Sequence, residues 1–151
     1  MEITLYAEVI YNAVRTISHR EVAAVQDPDA RYRTEAGTEK QGEIRSCILD
    51  ACARLEGRCS RFLENSYMDY ADNSSGWPEA FVFDFAVSER RAVGKATPLT
   101  GAMENFMVEY ALSKFYSIVN QGELSNKHSL LAIDEGNTID QILYTKQPPI
   151  V

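Results

Sequence analysis

Hydrophobic positions fall into four runs with helical spacing and one run with the spacing of a strand. Tyr6, Val9, Ile10, Ala13, Val14 and Ile17 share one arc while Glu8, Asn12 and Arg15 face away, which predicts a first helix over about Thr4 to Ser18. The pattern ends at Asp27-Pro28-Asp29, a turn signal because proline disfavours helix in the residue before it. A polar loop is expected near 27–38. A second helix is predicted from near Thr38, where Thr38 and Gln41 have the spacing of a capping box, to about Glu64. Its stripe is Ile44, Ile48, Ala51, Leu55, Cys59 and Phe62, widened by Cys47, Cys52 and Leu63. The Asn, Asp, Ser and Gly content of 65–79 reads as a second loop.

Phe81, Phe83, Phe85 and Val87 then alternate with Val82, Asp84 and Ala86, the period of a half-buried strand. A helix starting at Pro78 is the rival reading, since Phe81 and Phe85 are also four apart, but period and composition favour the strand. Such a strand needs a partner, either a short strand near Ala92 to Ala96 or the edge of a neighbouring subunit. From Pro98 to Val119 the pattern is apolar almost all round, with Thr97 as the expected N-cap and Pro98 at the first helical position. That helix must be covered on most sides, and subunit neighbours are the expected source of what the other helices leave open. Gly122 is expected to take the left-handed conformation at its end. Ser125 can cap a fourth helix carrying Leu130, Leu131 and Ile133, with Gly136-Asn137 breaking or bending it before a fresh turn at Thr138 and Gln141. The tail 146–151, with Pro148, Pro149 and Ile150, is expected to be extended, either as an arm that grips a neighbour or as a frayed terminus. The predicted fold is mainly α: a single helical domain of about four helices, with a short β-strand or β-hairpin insertion before the central helix.

A chain of 151 residues with 45% hydrophobic content can build one core without staples. Its net charge of -7, from 22 acidic against 15 basic residues, argues against a coat for nucleic acid or an anionic membrane. Met1-Glu2 opens no basic and apolar leader, so no secretory signal and a cytoplasmic origin are expected. Glu104, Asn105, Glu109 and Lys114 interrupt the apolar helix and exclude it as a membrane span. Cys47, Cys52 and Cys59 match neither a zinc nor a redox spacing and read as buried thiols. His19 and His128 lack paired ligand spacing and read as surface or capping residues. Asp134, Glu135, Asn137 and Asp140 lack calcium-loop spacing, and Asn73-Ser74-Ser75 reads as a polar loop. No phosphate loop, nucleophile elbow or Cys-His pairing is present, so neither a catalytic group nor a cofactor is assigned.

Charge distribution says more. Glu64, Asp69, Asp72, Glu79, Asp84 and Glu89 form a stretch without Lys or Arg, followed directly by Arg90, Arg91 and Lys95. Opposite patches on one subunit attract head to tail in a ring, while solvated loop charges are the plain alternative. Arg54, Arg58 and Arg61 would share one side of the second helix, where they could dock a carboxylate or a phosphate, with Asp50 and Arg54 forming an ordinary i,i+4 pair.

The order of these features carries a resemblance: a long cysteine-bearing helix, a loop, the segment Phe81 to Arg91, then Thr97-Pro98-Leu99-Thr100-Gly101-Ala102-Met103-Glu104-Asn105-Phe106-Met107-Val108-Glu109-Tyr110. Over about residues 38 to 145 the layout resembles small, mainly helical prophage structural proteins, particularly head–tail connector or head-completion proteins. The resemblance implies a non-enzymatic virion component that assembles as a homo-oligomeric ring beside portal or tail proteins, made in the bacterial cytoplasm. It implies contact roles for Phe81 to Lys95 and for the tail from Gln147, with no membrane and with DNA at most passing through the ring. A tail-completion or tail-terminator protein is the first alternative. A small helical enzyme or ligand-binding bundle, using Tyr67, Tyr70, Trp77 and the arginine row around a pocket, is the alternative of another class.

Overall fold

The computed structural model of the chain describes residues 1–23, 40–71, 76–87, 92 and 94–145. In chain order the elements are β1 (Glu2–Tyr6), α1 (Ala7–Val22), α2 (Gln41–Cys59), β2 (Leu63–Asp69), β3 (Ala80–Phe85), α3 (Ala96–Ile118) and α4 (Gly122–Tyr144). The molecule is mainly helical, with a small antiparallel sheet in the order β1-β3-β2.

β3 is the strand expected from the alternating phenylalanines, but its partners are not those expected. Both of its edges are occupied within one chain: β1 places Ile3 opposite Phe83 and Leu5 opposite Phe81, and β2 places Tyr67 opposite Val82 and Met68 opposite Phe81. The Met1 amino group and carbonyl also pair with the Phe85 backbone, the amino group donating at 3.1 Å. The first helix therefore begins at Ala7 rather than Thr4. Ile3 and Leu5, alternating with Glu2, Thr4 and Tyr6, had the period of a strand over five residues too short to outweigh the helical arc that follows. The second helix ends at Cys59, five residues early, because the chain turns to lay Leu63–Asp69 along β3. That strand corrects the loop expected from residue 65: it mixes Leu63, Tyr67 and Met68 with four polar residues, and its register shift between Leu63 and Asn65 blurs any alternation.

Phe81, Phe83 and Phe85 join Ile3 and Leu5 in the core with the buried residues of α1, α2 and α3. Around α3, the residues Leu99, Met103, Phe106, Met107, Ala111, Leu112, Phe115 and Tyr116 are all buried inside one copy, covered by α4, α2, α1 and β1. The expectation that neighbouring subunits complete this cover is thereby corrected: α4 supplies the missing side. It can do so because it runs unbroken from Gly122 through Gly136-Asn137 to Tyr144, where a break was expected. Thr138 does not cap a new turn; its hydroxyl donates to the Asp134 carbonyl 3.1 Å away. Nor does Gly122 adopt a left-handed conformation; Asn120 does, at φ 61°, and Gly122 opens the next helix. Ser125 lies inside that helix, its hydroxyl donating to the Ser113 carbonyl at 2.9 Å. Thr97 and Pro98 fall within the first turn of α3, where proline's missing N–H costs nothing. None of the described helices is long and apolar enough to cross a membrane.

Candidate functional site

The three arginines expected to share one helix face separate. Since α2 stops at Cys59, Arg61 leaves its track and sits over the Tyr144 ring, 5.8 Å from the centroid, donating to the Tyr144 hydroxyl at 3.3 Å. Arg58 crosses to α4, where Nε donates to the Gly136 carbonyl at 3.0 Å and a terminal nitrogen reaches Asp140 at 3.0 Å. Gly136 makes that approach possible: a Cβ there would stand 2.5 Å from the guanidinium carbon. The glycine read in sequence as a helix breaker is a seat for an arginine.

Arg54 stays over an open groove of about 620 Å³ between α2, α3 and α4. Its guanidinium lies 6.0 Å from the centre of the Tyr110 ring, and the Lys114 ammonium lies 5.8 Å from the same centre. Such pairs attract because the ring face carries negative partial charge. Small residues Ala53, Gly57, Ser113 and Ser129 leave the space free, while Phe106, Ala132 and Ile133 add apolar wall. The lining includes Arg58 and no carboxylate. Three cations beside an aromatic ring and an apolar wall suit a group that is acidic and partly aromatic. Neither Ser113 nor Ser129 has a histidine or carboxylate beside it in the lining to serve as a base.

The other sequence candidates lie elsewhere. Phe81, Phe83 and Phe85 are fully buried within one chain, which corrects their assignment as contact residues. Lys95, assigned to an exposed basic turn, is buried, with Nζ donating to the Thr145 carbonyl at 2.6 Å at the C-terminal end of α4. Arg90, Arg91, Pro148, Pro149 and Ile150 lie outside the described residues, as do the whole of the expected 27–38 loop and of the 146–151 tail. Tyr67 and Tyr70 are exposed at β2, whereas Trp77 is buried edge-on to Phe81 beneath Arg45. None of these three lines the groove, so the pocket that would join them to the arginine row is not assembled.

Sequence reasoning missed one ionic cluster. His128, read there as a surface or capping residue, is 2% exposed and lies between two carboxylates. Its Nε2 meets Glu21 of α1 at 2.6 Å and its Nδ1 meets Glu109 of α3. Tyr116 stacks on the imidazole and donates its hydroxyl to Glu21 at 3.0 Å, while Lys127 donates to the other Glu21 oxygen at 2.6 Å. Burial alone would lower the imidazole pKa, but hydrogen bonds and charge from Glu109 and Glu21 outweigh it and hold the ring above its usual 6.5. Glu21 moves the other way: burial raises it, yet the contacts from Lys127, His128 and Tyr116 bring it below 4.5. A signal for this existed in the chain. His128 has the spacing of Ala132, Gly136, Ile139 and Leu143, the buried stripe of α4. His19 is exposed, as expected of it.

Cys47, Cys52 and Cys59 are buried free thiols, as their spacing predicted. Burial first, then nearby carboxylates, pushes Cys47 up to about 11 and Cys52 and Cys59 up to about 12. Among the described residues no group of His, Cys, Asp and Glu is arranged to hold a metal ion. Neither a known protein family, nor a curated protein, nor a solved structure matches the chain.

Proposed function

We propose that this chain is a non-enzymatic, phage-derived virion component, an adaptor that assembles in several copies between the head and the tail. One observation carries the reading. A single turn of α4 leaves Leu130 65%, Leu131 38% and Ile133 53% exposed, and Ile133 borders the basic groove. With roughly half of each side chain still open, covering them contributes about 1 kcal/mol each, so this turn is an economical place for another protein to bind. The order of elements that resembles head–tail connector and head-completion proteins supplies the rest of the proposal. The apolar surface of α3 no longer contributes to it, because one copy hides that surface apart from Ile118 at its end.

A second reading, a ligand-binding bundle, draws on the groove under Arg54 and Arg58. Gene neighbourhood and reconstitution decide between them. The adaptor is expected beside portal, protease and capsid genes, and co-expression with the neighbouring portal should give a co-purifying ring visible by electron microscopy. Metabolic neighbours, or a portal that never retains the protein, would refute it. The tail-completion alternative predicts retention by tail tubes instead of the portal.

A further inference from the structure

We propose that the groove of one copy receives the outer edge of β2 from a second copy, head to tail, with Arg54, Lys114 and Tyr110 as the acceptor and Glu64, Tyr67 and Asp69 as the donor. This rests on the multi-copy adaptor reading and names its contact.

The acceptor is anomalous for this protein. A chain of net charge -7 gathers Arg54, Arg58 and Lys114 around one depression whose lining includes no carboxylate. Arg58 is engaged by Asp140, and Arg54 and Lys114 both turn toward the Tyr110 ring. An arriving carboxylate would thus meet two cations already held in place, which limits the side-chain entropy lost on binding.

The donor has the matching chemistry. Among the described residues β2 is an edge strand of the sheet, paired on one side only, and Glu64, Tyr67 and Asp69 are exposed along it, with Tyr70 exposed just beyond. From Phe62 to Glu89 there is no Lys or Arg, and the exposed Glu79 follows Asp69 across the backbone bond from Glu79 N–H to the Asp69 carbonyl, 2.7 Å. An aromatic ring flanked by carboxylates therefore meets an aromatic ring flanked by cations. The strand edge, unpaired among the described residues, adds backbone groups that favour a partner. Donor and acceptor lie on different elements, so the contact is heterologous and can repeat from copy to copy until it closes. An acidic segment of a different protein could use the same groove; the second copy is favoured because its complementary surface is present in this chain.

Sedimentation velocity on the full chain, over a range of concentration and salt, tests the contact. The wild type is expected to associate, less so as salt rises. Arg54→Glu with Lys114→Glu should weaken association by about a hundredfold or more, as should Glu64→Lys with Asp69→Lys, because each places like charges together. Mixing the two double variants should restore it, since each then offers the other an opposite surface. All four positions are exposed, and circular dichroism is to check that each variant is folded. A monomeric wild type, an undiminished Arg54→Glu/Lys114→Glu oligomer, or a mixture that stays monomeric overturns the contact. An acidic peptide that binds the groove of a monomeric wild type also overturns it, in favour of a foreign occupant. None of these results touches the adaptor reading, which the portal co-expression decides separately.

Discussion

Replacing His128 by glutamine tests whether the Glu21–His128–Glu109 cluster ties α1, α3 and α4 together. His128 is almost fully buried, and its two nitrogens meet carboxylates from two different helices. Glutamine cannot carry the positive charge that both carboxylates share. Glu21 keeps Lys127 and Tyr116, but Glu109 loses its charged partner. Removing one member of a buried ionic contact typically costs about 3–5 kcal/mol, because the remaining charge is left uncompensated. Partial exposure of Glu109 and the remaining contacts of Glu21 place the expected loss near the lower end, about 3 kcal/mol at neutral pH.

The pH dependence supplies a sharper readout. His128 has its pKa raised on folding, so the folded state holds that proton more tightly than the unfolded state. Its contribution is complete below about pH 6.5 and is lost as the pH rises through the folded value. Glu21 has its pKa lowered, so its contribution is complete above about pH 4.5 and is lost as the pH falls through the folded value. Wild-type stability should therefore be highest between about pH 4.5 and 6.5 and decline on the alkaline side. Glu135, raised by burial and by the Glu109 charge, adds its own decline above pH 4.5, but it does so in both proteins. The difference between wild type and His128→Gln isolates the imidazole. Urea denaturation followed by the fluorescence of Trp77, the chain's one tryptophan, at steps from pH 5 to 9 measures it. A variant as stable as wild type, or a wild-type alkaline decline that survives the substitution undiminished, would refute the reasoning.

Three further outcomes follow from the packing. Gly136→Ala should leave stability almost unchanged in wild type, because the gain in helix propensity offsets the displacement of Arg58, but should stabilise an Arg58→Ala background by about 1 kcal/mol; equal effects in both backgrounds would exclude the seat. Cys47, Cys52 and Cys59 should resist a disulfide thiol reagent at pH 8 in the native state and all react once urea unfolds the chain; a fast native thiol would contradict the burial. Phe83→Ala should cost about 3–5 kcal/mol in thermal or chemical denaturation of a dilute sample, since the ring is core; an unchanged midpoint with lost self-association would return Phe83 to an interface.

Where burial repeats with a fixed period, the sequence revealed the fold. The stripe of α2 and the buried thiols lie where the structure has them, and the alternation of Phe81, Phe83 and Phe85 located β3, although that strand is not half-buried as expected, since Ala80 and Val82 on its other face are buried too. Legibility failed where a segment's state is set by what lies beside it. β2 mixes polar and apolar residues without a clean period and is a strand because β3 offers it a row of hydrogen bonds, and β1 is five residues attached to a longer helical arc. Gly136 looked like a break because the Arg58 side chain that explains it is 78 residues away. The same distance effect hid the ionic cluster, whose members Glu21, Glu109 and His128 come from three helices and carry no mutual spacing. Of the candidate site, the arginine row was visible, but Lys114 and Tyr110, which share the groove with Arg54, were read only as parts of an apolar helix.

The enclosure of α3 changes what kind of assembly this chain can form. A helix apolar on all sides and left open would oblige copies to fold together, as in dimers whose interface resembles a core cut in half. Here α4 closes that surface, with the Glu21–His128–Glu109 contacts and Arg58 on Gly136 fixing α4 from both sides. A chain built this way can complete its core as a single copy, so any association would follow folding. What remains for association is a basic groove, an acidic strand edge and a short apolar turn on α4, a combination in which charge steers the encounter and a few buried side chains hold it. Such contacts are reversible and sensitive to salt, so the proposed adaptor would associate weakly on its own and firmly only once its docking partner is in place.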